Sequence, residues 1–145
     1  MKRAEVYIRR GVLIVYASSR TTDGVWLGEP PFVTLKADAS ADEKGAHILD
    51  ALRRSKNDIP HPQRWDGADQ GLMAAAGVKN WSTFVKLARA VSVEENGGKI
   101  ALIPMKNLGE RDGFVEVGEH TIHVEAVASS GTIGSALDRA IERTE

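Results

Sequence analysis

The chain has 145 residues, 42% of them hydrophobic and 27% charged, and its formal net charge is -1. This size predicts a single globular domain over residues 1–145, and the near-zero charge excludes a general attraction to nucleic acid or an anionic membrane. The absence of cysteine excludes disulfides and thiolate metal sites, and the apolar run from Val12 to Ala17 is too short to span a bilayer. We therefore expect a cytoplasmic protein with no direct nucleic-acid or membrane partner.

The first third of the chain has the pattern of β-strands. The segments EVYIRR and VLIVYASS flank the turn signal Arg10-Gly11. Asp23-Gly24 predicts a tight hairpin, because both residue types tolerate positive φ. Pro30-Pro31 is expected to break the strand ladder, since proline cannot donate a ladder hydrogen bond. The alternating segment FVTLK then predicts another strand.

Three helices are predicted in the middle of the chain. The first begins at Ser40, where Ser40 and Glu43 form a capping-box pattern. The second covers about 69–76 and ends at Gly77, and the third begins after Asn80, a favourable N-cap residue. The apolar face of the first helix consists of Gly45, Ile48, Leu49 and Leu52, and that of the third consists of Trp81, Phe84, Val85 and Ala88. We expect both faces to lie in the core.

The last third predicts a hairpin, further strands and a C-terminal helix. Asn96-Gly97 is a strong hairpin signal, and the apolar segment KIALIP after it indicates a central strand. The segment FVEVGEHTIHVEAVA predicts one or two more strands. The amphipathic segment TIGSALDRAIERTE predicts a helix with its N-cap at Thr132. Together these elements predict an α+β fold, a mostly antiparallel β-sheet with about four α-helices packed on it.

One segment, NDIPHPQRW, has residues that could act in catalysis. His61 is held between two prolines, and Asp58 and Asp66 are nearby acids, so a hydrolase using these three residues is one interpretation. The segment contains no nucleophile motif, however. The alternative is a rigid connector between two helices, with Trp65 packed against the core.

The remaining candidate sites favour no metal or cofactor. His120 and His123 are predicted on one strand, where residues three apart point to opposite faces and cannot share a metal. His47 is expected on a helix surface. The segment SSGTIG precedes a helix but lacks the lysine of a phosphate-binding loop. The sequence therefore predicts neither a metal site nor a cofactor site.

Several motifs in the same order resemble one family, the immunity proteins of bacterial contact-dependent growth inhibition (CDI) systems. These are TTDGVW, SKNDIPHPQRW, the long segment AGVKNWSTFVKLARAVSVEENGGKIALIPMKNLG and the pair Gly113-Phe114. The likeness covers about residues 5–114 and is weaker through the C-terminal helix. The resemblance implies a cytoplasmic antidote without catalytic residues that binds the toxic C-terminal domain of a CDI adhesin, commonly a nuclease. A monomer is expected.

The surface that binds the toxin is predicted from charge. Nuclease active sites handle phosphates and tend to be basic, so carboxylates on the antidote would complement them. The candidate toxin-binding residues are Asp66, Asp69, Glu110, Asp112, Glu116 and Glu119. At this point two alternatives remain open, a small regulatory or binding module and the hydrolase that uses His61.

Overall fold

The computed structural model describes residues 1–65 and 67–145. Within them the strands are β1 (Lys2–Arg9), β2 (Val12–Arg20), β3 (Trp26–Lys36), β4 (Arg89–Asn96), β5 (Lys99–Asn107), β6 (Phe114–Glu116) and β7 (Ile122–Glu125). The α-helices are α1 (Ala41–Arg54), α2 (Gln70–Ala76), α3 (Trp81–Val85) and α4 (Ser130–Glu142), and Gly118–His120 forms a 3-10 turn. None of these helices is long and apolar enough to cross a membrane.

The strands form a single antiparallel sheet in the order β3-β2-β1-β4-β5-β6, with β7 also paired to β5. The sheet therefore centres on β1 and β4, which are far apart in the chain. Because β5 pairs with β4 on one side and with β6 and β7 on the other, its predicted central position is confirmed. The predicted α+β class is confirmed as well.

The N-terminal strands form the two predicted hairpins. Arg10 and Gly11 have φ values of 49° and 75° and make the turn between β1 and β2. The hairpin around Asp23-Gly24 is also present, but its loop spans 21–25, because Arg20 pairs with Trp26. The loop is closed by a hydrogen bond of 2.8 Å from the Thr21 N–H to the carbonyl of Val25.

The expected break of the strand ladder at Pro30-Pro31 is confirmed, because the pairing with β2 omits residues 30–32, but the chain does not divide into two strands there. Strand β3 continues through both prolines, and the pairing with β2 shifts register between Val15 and Ala17. Their missing N–H groups are tolerated because β3 lies at the edge of the sheet, where one side of the strand needs no ladder partner. The two strands expected here are therefore one strand with an irregularity.

The strong hairpin signal at Asn96-Gly97 is confirmed, with a shift of one residue. Asn96 is the last residue of β4 and pairs with Lys99, so the two central turn residues are Gly97 and Gly98. Their φ values are 59° and 80°. A two-residue hairpin turn of this kind needs positive φ at both central positions, and two glycines adopt it without steric cost.

Helices α1 and α4 cover one face of the sheet, which we call the first face. Ile48, Leu52, Ile133 and Leu137 are almost completely buried against it. The predicted cap of α1 is confirmed, because the Ser40 hydroxyl accepts the Glu43 N–H at 3.1 Å. The expected cap of α4 at Thr132 is wrong: Ser129 is the N-cap, and its hydroxyl accepts the Thr132 N–H at 3.2 Å.

Two glycines bring α1 and α4 into backbone contact. A Cβ placed on Gly45 would overlap the carbonyl oxygen of Ser130, and one placed on Gly134 would overlap that of Ala41. Gly45 therefore lies on the buried face of α1 as predicted. The glycine-rich segment SSGTIG, expected before the helix, instead forms the N-cap and first turn of α4, and its Gly134 allows the close approach of the two helices.

Helices α2 and α3 cover part of the opposite face of the sheet, the second face. The predicted start of α3 is confirmed, since the Asn80 side chain accepts the Thr83 N–H at 2.9 Å. The predicted end of α2 at Gly77, with φ of 71°, is confirmed too. Phe84 is fully buried there, whereas Trp81 is half-buried at the margin. The buried core residues of this cluster are Ile14, Tyr16, Leu72, Met73, Phe84 and Ala88.

Candidate functional site

The segment that contains His61 is attached to the loop between β2 and β3. The Ile59 N–H donates to the carbonyl of Arg20 at 3.1 Å, and the Ile59 carbonyl accepts the Thr22 N–H at 2.9 Å. The His61 Nδ1 lies 2.9 Å from the Thr21 hydroxyl, and its Nε2 lies 3.7 Å from the Asp23 carboxylate. These contacts fix the segment against the loop and agree with the connector interpretation.

The hydrolase arrangement is not assembled in the described part of the chain. Asp58 is exposed, with φ of 61°, and the acid that approaches His61 is Asp23 instead. Asp66 lies outside the described residues. Thr21 is only 2% exposed, and its hydroxyl accepts hydrogen bonds from the N–H groups of Asp23 and Val25. Its contacts are those of a side chain that holds a turn.

The expectation that Trp65 packs against the core is wrong. Trp65 is 48% exposed, and its ring meets that of His61 edge-on, with centroids 5.4 Å apart. The core below α2 is already filled by other aromatic rings, including Tyr16 and Phe32, whose centroids are 4.7 Å apart. Trp65 instead borders a shallow groove with Asp69 and Trp81.

The four histidines lie on different elements of the fold. His123 lies exposed on β7, but His120 lies in the 3-10 turn, so the prediction of one strand for both is wrong for His120. The His120 Nδ1 lies 3.8 Å from the Glu145 carboxylate. His47 lies half-buried on α1. Within residues 1–65 and 67–145, the side chains of His, Asp and Glu form no group of three or more that could hold a metal ion.

The predicted acidic residues that the structure describes are distributed over several elements. Asp69 is the N-cap residue of α2, without a capping hydrogen bond from its side chain. Glu110 and Asp112 lie in the loop between β5 and β6, and the Glu110 carbonyl accepts the indole N–H of Trp81 at 3.2 Å. Glu119 lies in the 3-10 turn. All four side chains are exposed, and the hydrogen bond to Trp81 attaches the loop of Glu110 and Asp112 to α3.

Glu116 belongs to a group of charged residues that the sequence analysis missed. The Arg3 guanidinium lies 2.7 Å from the Glu5 carboxylate, and 3.7 Å from each of the carboxylates of Glu94 and Glu116. Ser92 accepts from Arg3 at 3.0 Å and donates to Glu5 at 2.7 Å. We call these five residues the Arg3 cluster. It joins β1, β4 and β6, and three carboxylates surround one guanidinium.

Burial and charge act in opposite directions in the Arg3 cluster. Burial raises the pKa of Glu5, and the opposing effects of Arg3 and the Ser92 hydrogen bond do not fully offset it. For Arg3, burial alone would lower the pKa, but Glu5, Glu94 and Glu116 together raise it. The guanidinium therefore stays charged, whereas the ionised form of Glu5 is disfavoured by its surroundings.

A local signal for the Arg3 cluster exists, but it is weak. Arg3 and Glu5 alternate with the buried residues Ala4 and Val6, which places both charges on one side of β1. Such alternation also describes any strand with a solvated face. The partners of Arg3 in the cluster come from β4 and β6, and nothing in the local pattern indicates that these strands are neighbours of β1.

Comparisons with known proteins identify the family. A model of the CDI immunity protein family matches residues 58–144, which is more than half of the chain. The match includes α4, where the sequence motifs are weaker. No curated protein matches the chain.

Two solved structures share the fold. One is a protein of unknown function from Neisseria meningitidis, with a TM-score of 0.84 and 17% identity over 99% of this chain and 95% of that one. The other comes from a CdiA-CT/CdiI toxin and immunity complex from Yersinia pseudotuberculosis, with a TM-score of 0.81 and 17% identity over 99% of this chain and 97% of that one. At this identity the two likenesses establish the fold alone. The family model establishes the family, and the chain belongs to the CDI immunity proteins.

Proposed function

We propose that this chain binds the C-terminal toxin domain of its own CDI system and neutralises it without catalysing a reaction. The toxin is a nuclease, and the antidote acts in the cytoplasm as a monomer without a cofactor. The observation that carries this proposal is the family match over residues 58–144. The solved complex of a toxin with an immunity protein, which has the same fold, supports a protein as the partner.

The decisive experiment combines binding with protection. The toxin domain encoded next to this chain should co-purify with it, and growth of cells that produce the toxin domain should be restored when the chain is also present. His61→Ala should protect as well as the parent, because its loss removes one side-chain hydrogen bond worth about 0.5–1.5 kcal/mol and no reacting group. A His61→Ala protein that melts like the parent but fails to protect would contradict the non-catalytic role.

The acidic surface is the part of the proposal that concerns the mode of binding. Glu110 and Asp112 are exposed on a loop that is attached to α3 through the backbone carbonyl of Glu110. Reversal of their side chains therefore leaves this hydrogen bond in place. The loop also contains Arg111, so an acidic role requires that the two carboxylates face the toxin.

We expect Glu110→Lys with Asp112→Lys to slow association with the toxin domain about tenfold at low salt. Raised salt should slow the association of the parent too, because it screens the attraction. The matched control is Asp38→Lys with Glu142→Lys, which changes the net charge equally at two exposed positions elsewhere. Stopped-flow or biolayer measurements give the rates. Equal association rates for both double variants, together with no salt dependence, would contradict an acidic interface.

A further inference from the structure

Part of the second sheet face carries no helix. Helices α2 and α3 pack over the region of Tyr16 and Phe84. The same face continues beyond them along β1, because Arg3 pairs with Ser18 on one side and with Glu94 on the other. We call this continuation the open face. Its residues are Arg3, Glu5, Trp26, Ser92, Glu94, Ala101 and Glu116.

The strand pairings place these side chains on the same side of the sheet. Glu94 and Ser92 on β4 are opposite Ala101 and Ile103 on β5, and Glu116 on β6 is opposite Met105 on β5. Residues 101, 103 and 105 are two apart along β5, so they and their partners lie on the same side of the sheet. The side chains are partly exposed: 18% for Arg3, 24% for Glu94 and 45% for Glu116. The open face is therefore a shallow polar surface that solvent can reach.

The residues of the open face are held in place before any partner arrives. The Arg3 guanidinium lies 5.8 Å from the centre of the Trp26 ring and is also fixed by Glu5 and Ser92. Ser92 is completely buried, so the hydrogen bonds beneath the surface are shielded from water. A surface that is already ordered loses less conformational entropy on binding than a mobile one.

The charges of the Arg3 cluster do not balance. Three carboxylates converge on a single guanidinium, which leaves a surplus of negative charge when all of them are ionised. Arg3 already lies between them and occupies the carboxylate oxygens that face it, so a partner can reach only the oxygens that face solvent. At the far border, Lys99 on β5 is opposite Glu125 on β7, so one charge of each sign lies there. The surplus therefore remains at Glu94 and Glu116.

We propose that the open face is a docking surface for the toxin, and that a lysine or arginine of the toxin binds the solvent-facing carboxylate oxygens of Glu94 and Glu116, above the guanidinium of Arg3. This inference rests on the proposed function and names a contact region for it. A cation there would complete an alternating arrangement of charges with Arg3. The half-buried ring of Trp26 provides an adjacent apolar surface for the aliphatic part of such a side chain.

The test is the affinity for the purified toxin domain, measured by titration calorimetry. Glu94→Gln with Glu116→Gln keeps the shape of the surface and removes the surplus charge, and should weaken binding about tenfold or more. The matched control is Asp38→Asn with Glu142→Gln, which removes the same charge elsewhere and should bind like the parent. The difference between the two double variants should decrease in high salt. Equal affinities for both would overturn the proposal.

A second variant blocks the open face without altering its carboxylates. Ala101→Arg places a guanidinium next to Glu94, where the cation of the toxin is expected, and should also weaken binding about tenfold or more. Thermal melts identify any variant that is merely misfolded. If the parent protein does not bind the toxin, the proposed function fails. If the parent binds and a folded Ala101→Arg protein binds equally well, only the docking surface is overturned.

Discussion

Replacing Gly134 with alanine should destabilise this protein by about 2–3 kcal/mol, a fall in melting temperature of roughly 5–10 °C. Alanine normally stabilises a helix by about 1 kcal/mol relative to glycine. Here its Cβ would overlap the backbone carbonyl of Ala41, so the two helices must separate. The same result is expected for Gly45→Ala, whose Cβ would overlap the carbonyl of Ser130.

The control for this prediction is Gly118→Ala. Gly118 has open space where a Cβ would lie, and its φ is not in the positive region, so alanine should change the melting temperature very little. Thermal unfolding followed by circular dichroism measures all three variants. A Gly134→Ala protein that melts at or above the parent temperature would show that α1 and α4 are not in backbone contact.

Phe84→Ala should be the most destabilising truncation on the second face. Phe84 is completely buried and packs edge-on against Tyr7, with ring centroids 5.3 Å apart. Removal of such a ring costs about 3–5 kcal/mol, a large part of a total stability of roughly 5–15 kcal/mol. Chemical denaturation should show this loss as a lower midpoint with an unchanged slope.

Trp81→Ala is the comparison for Phe84→Ala. The helical spacing of the apolar residues predicts that both lie in the core, and Trp81→Ala should lower the melting temperature by several degrees. Its effect should still be smaller than that of Phe84→Ala, because the indole is half exposed and its main polar contact is with the Glu110 carbonyl. A larger loss for Trp81→Ala would contradict this order and would indicate that the loop of Glu110 depends strongly on the indole.

Local structure could be predicted from the sequence wherever one residue decides it. The caps at Ser40 and Asn80 and the helix end at Gly77 depend on side chains or conformations available within a few residues. The predictions are wrong where two nearby residues could each form the same cap or turn. Ser129 and Thr132 can both cap a helix, and the hairpin NGG can turn at either of two positions. Pattern alone does not separate such choices.

Features that depend on distant pairing could not be predicted. Pro30-Pro31 is compatible with a strand only because β3 lies at the sheet edge, and edge positions are set by the order of strands. The Arg3 cluster also depends on that order, since its residues come from β1, β4 and β6. Trp65 is exposed because other rings fill the core below α2. In each case the deciding neighbour is remote in the chain.

The central position of β1 also affects the timing of folding. Strand β1 pairs with β4, with Ile8 opposite Arg89 and Lys2 opposite Glu95. The side of β1 that pairs with β4 therefore stays unpaired until the ribosome has made residues 89–95. An open strand edge can pair with other chains during this interval, and pairing over such a distance in sequence slows folding. Under the proposed function, a newly synthesised chain protects the cell only after most of it has been made and folded. A cell must therefore keep a reserve of finished antidote before the toxin enters.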